Sequence, residues 1–228
     1  MGSIAENINY VLEQVRVSAE RVKRDPSDIT VVAVTKTVPV ERINEAVAAG
    51  LKVLGENRVQ ELTGKHPSLP GVEWHMIGHL QSNKVKYVVD KISLLHSLDG
   101  ISLAEAVNKR MVRLGLTMDV LVQVNIADES TKFGIKPAET EQFIDKIRFL
   151  PGLKVQGLMT IGPYAAGEEE IRGVFRQLKL LADRVKELDF PEVEMKHLSM
   201  GMSNDYKIAV EEGATLIRVG STIFGQRN

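Results

Sequence analysis

TVVAVTK, Thr30 to Lys36, is the stretch from which the rest of this 228-residue chain can be read. Val31, Val32, Ala33 and Val34 form an unbroken apolar run with β-branched neighbours, the pattern of a strand buried on both faces. Such strands belong to parallel sheets covered by helices, and those sheets place their ligands at the carboxyl ends of the strands. Lys36 stands at that end. An amine there does chemistry only if burial or a nearby cation removes its proton and a ligand can react with it.

Seven further short apolar runs follow at Lys52–Leu54, Glu73–Ile77, Ser93–His96, Asp119–Asn125, Lys154–Met159, Glu194–Leu198 and Thr215–Val219. Helical patterns separate them. After the first, Pro39 opens a helix, Ile43, Ala46 and Val47 recur at helical spacing, and Gly50 stops it. Later, Pro137 opens a helix with Phe143, Ile144 and Ile147 on one face, closed by Pro151-Gly152. Leu178, Leu181, Val185 and Leu188 form another stripe. AVAAGLKVLG (46–55) and AVEEGATLIRVG (209–220) look like one α/β unit used twice.

Eight strands alternating with helices predict an α/β fold, a single (β/α)8 TIM barrel spanning residues 1–228, with a doubly wound sheet as the alternative. The two ends favour closure. The eighth strand is followed only by FGQRN, too short for a helix. An additional N-terminal helix, with Ile8, Val11, Leu12 and Val15 on one face, precedes the first strand and can fill the missing eighth position.

Composition narrows the function classes. At 43% hydrophobic and 26% charged, the chain reads as an ordinary globular protein. It has no apolar stretch of membrane-spanning length and no signal-peptide core, so a cytoplasmic location is expected. The absence of cysteine excludes disulfides, thiol nucleophiles and cysteine-ligated zinc. A formal net charge of −1 without a basic block gives no electrostatic pull toward nucleic acid or anionic lipid.

Two late loops read as a phosphate site. SMGMSNDY (199–206) follows the seventh strand, with Gly201 for a tight backbone and Ser203, Asn204 or Asp205 to cap the next helix. RVGSTIFG (218–225) follows the eighth, where Gly220, Ser221 and Thr222 offer amides and hydroxyls. Barrels bind phosphate between these two loops. Arg218 adds a permanent cation, which would also depress the pKa of a nearby lysine. Amine, cation and phosphate pocket together describe a site for a phosphorylated aldehyde held as a Schiff base, and pyridoxal phosphate is the obvious one.

Three other loops follow strands and can reach the same mouth. GENRVQE (55–61) presents Asn57, and ESTKFGI (129–135) presents Lys132, either a solvated lysine or a second cation. WHMIGHLQSNK (74–84) places His75 and His79 four apart, but across a strand-to-loop turn and with no carboxylate at ligand spacing, so no metal is expected. Asp128 and Glu129 are too loosely placed to form an acid/base pair.

VAVTK (32–36), GENRVQE (55–61), WHMIGHLQSNK (74–84), GLMTI (157–161), LSMGMSND (198–205) and RVGSTIFG (218–225), in this order, closely resemble the pyridoxal phosphate homeostasis protein family over essentially the whole chain. The resemblance implies a barrel similar to the N-terminal domain of bacterial alanine racemase. It also implies pyridoxal 5'-phosphate bound as a Schiff base, with no established catalytic activity and hence no catalytic residue. On the matching motifs, Lys36 is the Schiff-base lysine and Arg218 contacts the pyridine nitrogen. Ser203, Gly220, Ser221 and Thr222 hold the phosphate, with Ser199 as the competing serine. Asn57 and Met76 lie against the cofactor, and Lys132 carries a cation toward its phenolic oxygen.

Racemisation needs proton donors on both faces of the substrate carbon. In the racemase that the family resembles, a tyrosine from a separate C-terminal domain serves one face, and this chain ends at Asn228, just after the eighth-strand motif. An arginine at the pyridine nitrogen also weakens the ring as an electron sink. The expected function is therefore binding, storage or delivery of the vitamer in its homeostasis, with cofactor-requiring apo-enzymes as candidate recipients and a monomeric state. A pyridoxal phosphate-dependent racemase or lyase with an open site is the alternative. A cofactor-free Schiff-base aldolase is the third reading.

Overall fold

Eight parallel strands pair in chain order and close on themselves, the last against the first. The structure, a computed structural model, describes residues 2–127, 129, 132–163 and 166–226. The strands are β1 Thr30–Val34, β2 Val53–Glu56, β3 Glu73–Met76, β4 Leu94–Leu98, β5 Met118–Gln123, β6 Leu153–Met159, β7 Val193–Met202 and β8 Leu216–Val219. The helices are α1 Ile4–Arg21, α2 Val40–Ala48, α3 Val59–Lys65, α4 Ile101–Leu114, α5 Thr140–Ile147, α6 Glu168–Glu187, α7 Tyr206–Glu211 and α8 Ser221–Phe224. This is the α/β TIM barrel that the rhythm of apolar runs predicts.

The alternation of strand side chains sorts the wall into two faces. Val32, Leu94, Leu121, Met159 and Leu216 meet in one apolar cluster inside the barrel. Val31, Ala33, Leu54, Trp74, Met76, Leu95, Val120, Ile217 and Val219 belong to the larger cluster between sheet and helices. Because both faces are covered, the strands read as continuous apolar runs.

The amphipathic segment before β1 does complete the outer layer: α1 packs against α2, α7 and α8. Its start is fixed by a capping box in which Ser3 Oγ accepts from Glu6 N–H and Glu6 Oε2 accepts from Ser3 N–H, an arrangement worth about 1 kcal/mol. Leu12 does not join its buried stripe and stays 46% exposed, while Ile4 and Ala19 extend the stripe instead.

Three expectations from the sequence need correction. Between β3 and β4 the chain forms a 3-10 stretch, Ser82–Tyr87, rather than an α-helix. After β8 the residues STIF coil into one short helical turn, α8, where only a tail was expected. The seventh strand continues past Leu198 to Met202, so Ser199 is part of the wall and the loop begins at Ser203. Gly201 makes that extension possible. Its φ is +90°, and a Cβ there would lie 2.5 Å from Ala209 Cβ, so only glycine lets α7 fold back on the strand.

Candidate functional site at the barrel mouth

Lys36 lies two residues beyond Val34 and continues the inward alternation of Val32 and Val34 at the carboxyl end of β1. It is half-buried, and its amine makes no hydrogen bond or ion pair to any described residue. The neighbouring strand brings Arg218 to the same part of the wall, because β8 pairs with β1 in a register that sets Arg218 against Val32.

Arg218 is 4% exposed, and no carboxylate lies within ion-pair distance of it among the described residues. Its Nη1 donates to Ser199 Oγ at 2.6 Å and its Nη2 to the Thr160 carbonyl at 2.8 Å. Burial pushes the guanidinium down to about 10, with the Asp205 charge opposing that shift. The side chain is therefore a cation at neutral pH that is held in place by neutral groups.

Behind Arg218 runs a chain of hydrogen bonds across the barrel interior. Ser199 Oγ lies 2.8 Å from His96 Nδ1, and His96 Nε2 lies 3.0 Å from His75 Nδ1. A guanidinium can only donate, so Ser199 accepts from it, and each neutral imidazole behind it has one donor and one acceptor nitrogen. Both imidazoles are held neutral: burial, aided by His197, pushes His75 down to about 4, and burial holds the His96 imidazole well below its ordinary value.

The last two loops converge on Ser203. Its Oγ accepts from the Gly220 N–H at 3.2 Å and the Thr222 N–H at 3.4 Å, at the start of α8. Asp205, at the head of α7, accepts from Met202 N–H, and burial pushes its carboxyl up. A cavity of about 220 Å³ opens beside this turn, lined by Thr37, Arg42, Gly220 and Phe224 among others.

The remaining sequence candidates divide. Asn57 follows Glu56 on the alternation of Gly55, which faces Val32, so it sits at the rim; Gly78 packs on its backbone. Lys132 Nζ donates to Glu129 Oε1 at 2.6 Å and to the Gly162 carbonyl at 2.9 Å, bridging the loops after β5 and β6. Asp128, weighed beside Glu129 as an acid, lies outside the described residues. Ser221 heads α8 and is exposed. Met76 is fully buried in the outer cluster, while its neighbours His75 and Ile77 face inward. His75 and His79 do not share a site: His79 pairs with Asp99 at 2.9 Å and stacks on Phe133.

Some residues of the mouth escaped notice in the sequence. His96 could have been found as the lone ionisable group within an apolar run, LLHSL. Thr160 contributes only its carbonyl and leaves no signal. Residues 9–228 match the family profile described as alanine racemase, N-terminal domain. A pyridoxal phosphate homeostasis protein of Aquifex aeolicus is 43% identical over 224 residues, covering 97% of each chain. The chain belongs to the pyridoxal phosphate homeostasis protein family. Within that family it is similar to PipY of Synechococcus elongatus, solved with pyridoxal phosphate bound, at 34% identity and a TM-score of 0.84 over 97% of this chain and 100% of that one. An alanine racemase of Clostridium difficile, 17% identical with a TM-score of 0.76, shares the barrel fold; the match covers 97% of this chain and 57% of the racemase.

Proposed function

We propose that this protein binds pyridoxal 5'-phosphate as a Schiff base on Lys36 and serves to store or deliver it, without turning over amino acids. Arg218 is the observation that carries the reading. A buried cation without a carboxylate partner is costly unless something else answers its charge. The aromatic nitrogen of pyridoxal phosphate is an acceptor suited to that place, one strand away from an inward-facing amine. The name of the Aquifex relative and the bound ligand in PipY support the same ligand.

Each residue then has a role. Lys36, in its neutral form, bonds through nitrogen to the aldehyde carbon, and the carbonyl oxygen leaves as water. The amides of Gly220 and Thr222, with the hydroxyls of Ser203, Ser221 and Thr222, take the phosphate. Ser199 acts through Arg218 rather than on the ligand, and Met76 supports the wall from outside. Asn57 and Lys132 border the mouth as polar and cationic neighbours.

The bound group supplies a conjugated ring able to withdraw electrons from a carbon attached to the imine nitrogen. Arg218 remains protonated at neutral pH and gives the ring nitrogen a hydrogen bond but no proton, which keeps that withdrawal weak. This favours a carrier over a racemase or lyase. Apo-enzymes that require the cofactor are the recipients this reading implies, the cytoplasm is its setting, and one chain suffices for the site.

Titration with pyridoxal phosphate tests the proposal. The Schiff-base absorbance band is expected in wild type and absent in Lys36→Ala, and borohydride reduction with peptide mapping should put the pyridoxyl group on Lys36. Amino-acid racemisation at enzyme-like rates that depends on Lys36 would overturn the carrier reading.

A further inference from the structure

The backbone that presents Lys36 is strained, and three charged side chains hold it. Val38 N–H donates to the Thr35 carbonyl at 2.9 Å, closing a four-residue turn around Lys36. Its third residue, Thr37, has a φ of +61°. Turns with positive φ at that position take glycine or asparagine, and a β-branched residue there is an outlier that persists only where its surroundings over-determine it.

Those surroundings lie on the outer face of the wall. Glu61 Oε2 accepts the Thr37 N–H at 2.7 Å. Lys65 Nζ donates to the Thr35 carbonyl at 2.7 Å, to Glu56 Oε1 at 2.7 Å and to Glu61 Oε2 at 3.0 Å. Glu56 Oε1 also accepts from Thr35 Oγ1 at 2.6 Å. Both residues that flank Lys36 are thereby tied to β2 and α3 from outside, while Lys36 itself follows the inward alternation.

Surface decoration does not describe this cluster. The Glu56 side chain is fully buried, and those of Lys65 and Glu61 are 13% and 21% exposed. Glu56 Oε2 is buried with no hydrogen-bond partner among the described residues. The cluster directs its bonds to the two residues on either side of Lys36.

We infer that Lys65, Glu56 and Glu61 are positioning residues for Lys36: they hold the strained Thr35–Val38 turn so that the amine is fixed in the barrel mouth, and capture of pyridoxal phosphate depends on that turn. The inference rests on Lys36 being the Schiff-base lysine. It adds a requirement that the mouth residues do not contain, because none of the three needs to touch the ligand.

The test uses the full chain and pyridoxal phosphate at neutral pH, comparing wild type with Glu61→Leu, Lys65→Met, and each of these combined with Thr37→Gly. Capture is read from the Schiff-base absorbance, and thermal unfolding of the ligand-free proteins by circular dichroism reports folding separately. Glu61→Leu, which leaves the Thr37 N–H without its acceptor, is expected to weaken capture by about ten- to hundredfold, the scale of a misplaced reacting group, while still unfolding cooperatively. Adding Thr37→Gly, which takes the positive φ without strain, should return capture to within about threefold of wild type although no charge is restored. A purely structural or electrostatic role gives no such rescue. Capture by Glu61→Leu within twofold of wild type overturns the inference, as does a Thr37→Gly double variant that fails to recover capture or, should the single variants not fold, fails to fold. A pyridoxyl adduct mapped in wild type to a lysine other than Lys36 overturns the reading of Lys36 instead, which keeps the two failures distinct.

Discussion

Inside and outside the barrel wall, charge is treated in opposite ways. On the inner face, Arg218 is a buried cation whose partners are a serine hydroxyl, a backbone carbonyl and, behind them, two neutral histidines. On the outer face, Lys65 is shared between two carboxylates, Glu56 and Glu61. The inner cation has no carboxylate in contact with it, and the outer one has two. Uncompensated charge in a packed interior is a place kept for a ligand, whereas a closed ion cluster keeps a geometry.

The two Met substitutions should therefore part company in stability, and this is the largest effect expected. Lys65→Met strands the buried Glu56 carboxylate and should destabilise the ligand-free protein by about 3–5 kcal/mol, as breaking a buried pair does. Arg218→Met removes a charge that makes no ion pair, and the buried Asp205 that feels it from a distance keeps its Met202 N–H donor, so stability should stay within about 1–2 kcal/mol of wild type. Binding of pyridoxal phosphate should fall in both. Equal losses of stability in denaturant titrations would erase the distinction between the two faces.

Acid titration probes the inner face next. The His75 imidazole is held at about 4 in the folded protein against an ordinary value of 6.5. Between those values the unfolded chain binds the proton and the folded chain does not, so stability is fully present above pH 6.5 and declines as pH falls toward 4. One imidazole shifted that far contributes roughly 3 kcal/mol to the decline. His96, buried behind it and also pushed down, steepens the loss. His75→Gln should flatten the profile of melting temperature against pH over this window, and an unchanged slope would show that the hydrogen-bond chain is not held neutral.

The contrast between the faces also explains what could be read from the sequence. Strands β1 to β8 were legible because a parallel strand covered on both faces is an unbroken apolar run, and the helix starts were legible from Pro39 and Pro137. Lys36, Arg218 and the Ser203 and Gly220 loops stood out because each ends a strand where ligands gather. The outer clamp was not legible. Thr35, Glu56 and Lys65 meet only after β1, β2 and α3 have been wound around the barrel, and along the chain Glu61 and Lys65 look like an ordinary i,i+4 surface pair. Ser199 was misplaced for a local reason: Gly201 reads as a loop residue, yet its positive φ serves a bend within β7, after which the strand alternation turns Ser199 inward. Met76 falls in the outer cluster by the same arithmetic, since one step along β3 separates an inward residue from an outward one.

Ser203 offers the smallest and most discriminating test. Its hydroxyl accepts from the Gly220 and Thr222 amides in the ligand-free protein, so it keeps two donors aligned where a phosphate is proposed to sit. Ser203→Ala removes that acceptor from two amides beside the cavity that Gly220 lines, and the loss of stability should be about 1 kcal/mol. Capture of pyridoxal phosphate should weaken by about tenfold, the value of one hydrogen bond to a charged group at the low end of its range. Capture of pyridoxal, which has the same aldehyde and no phosphate, should not change. Glu61→Leu, by contrast, disturbs the amine itself and should weaken capture of both aldehydes by the same factor. The ratio of the two affinities, measured in each variant, thus reports which side of the wall has been broken: a ratio that moves in Ser203→Ala and stays fixed in Glu61→Leu separates a phosphate contact from a clamp on the amine, and a ratio that moves equally in both would merge them into one site.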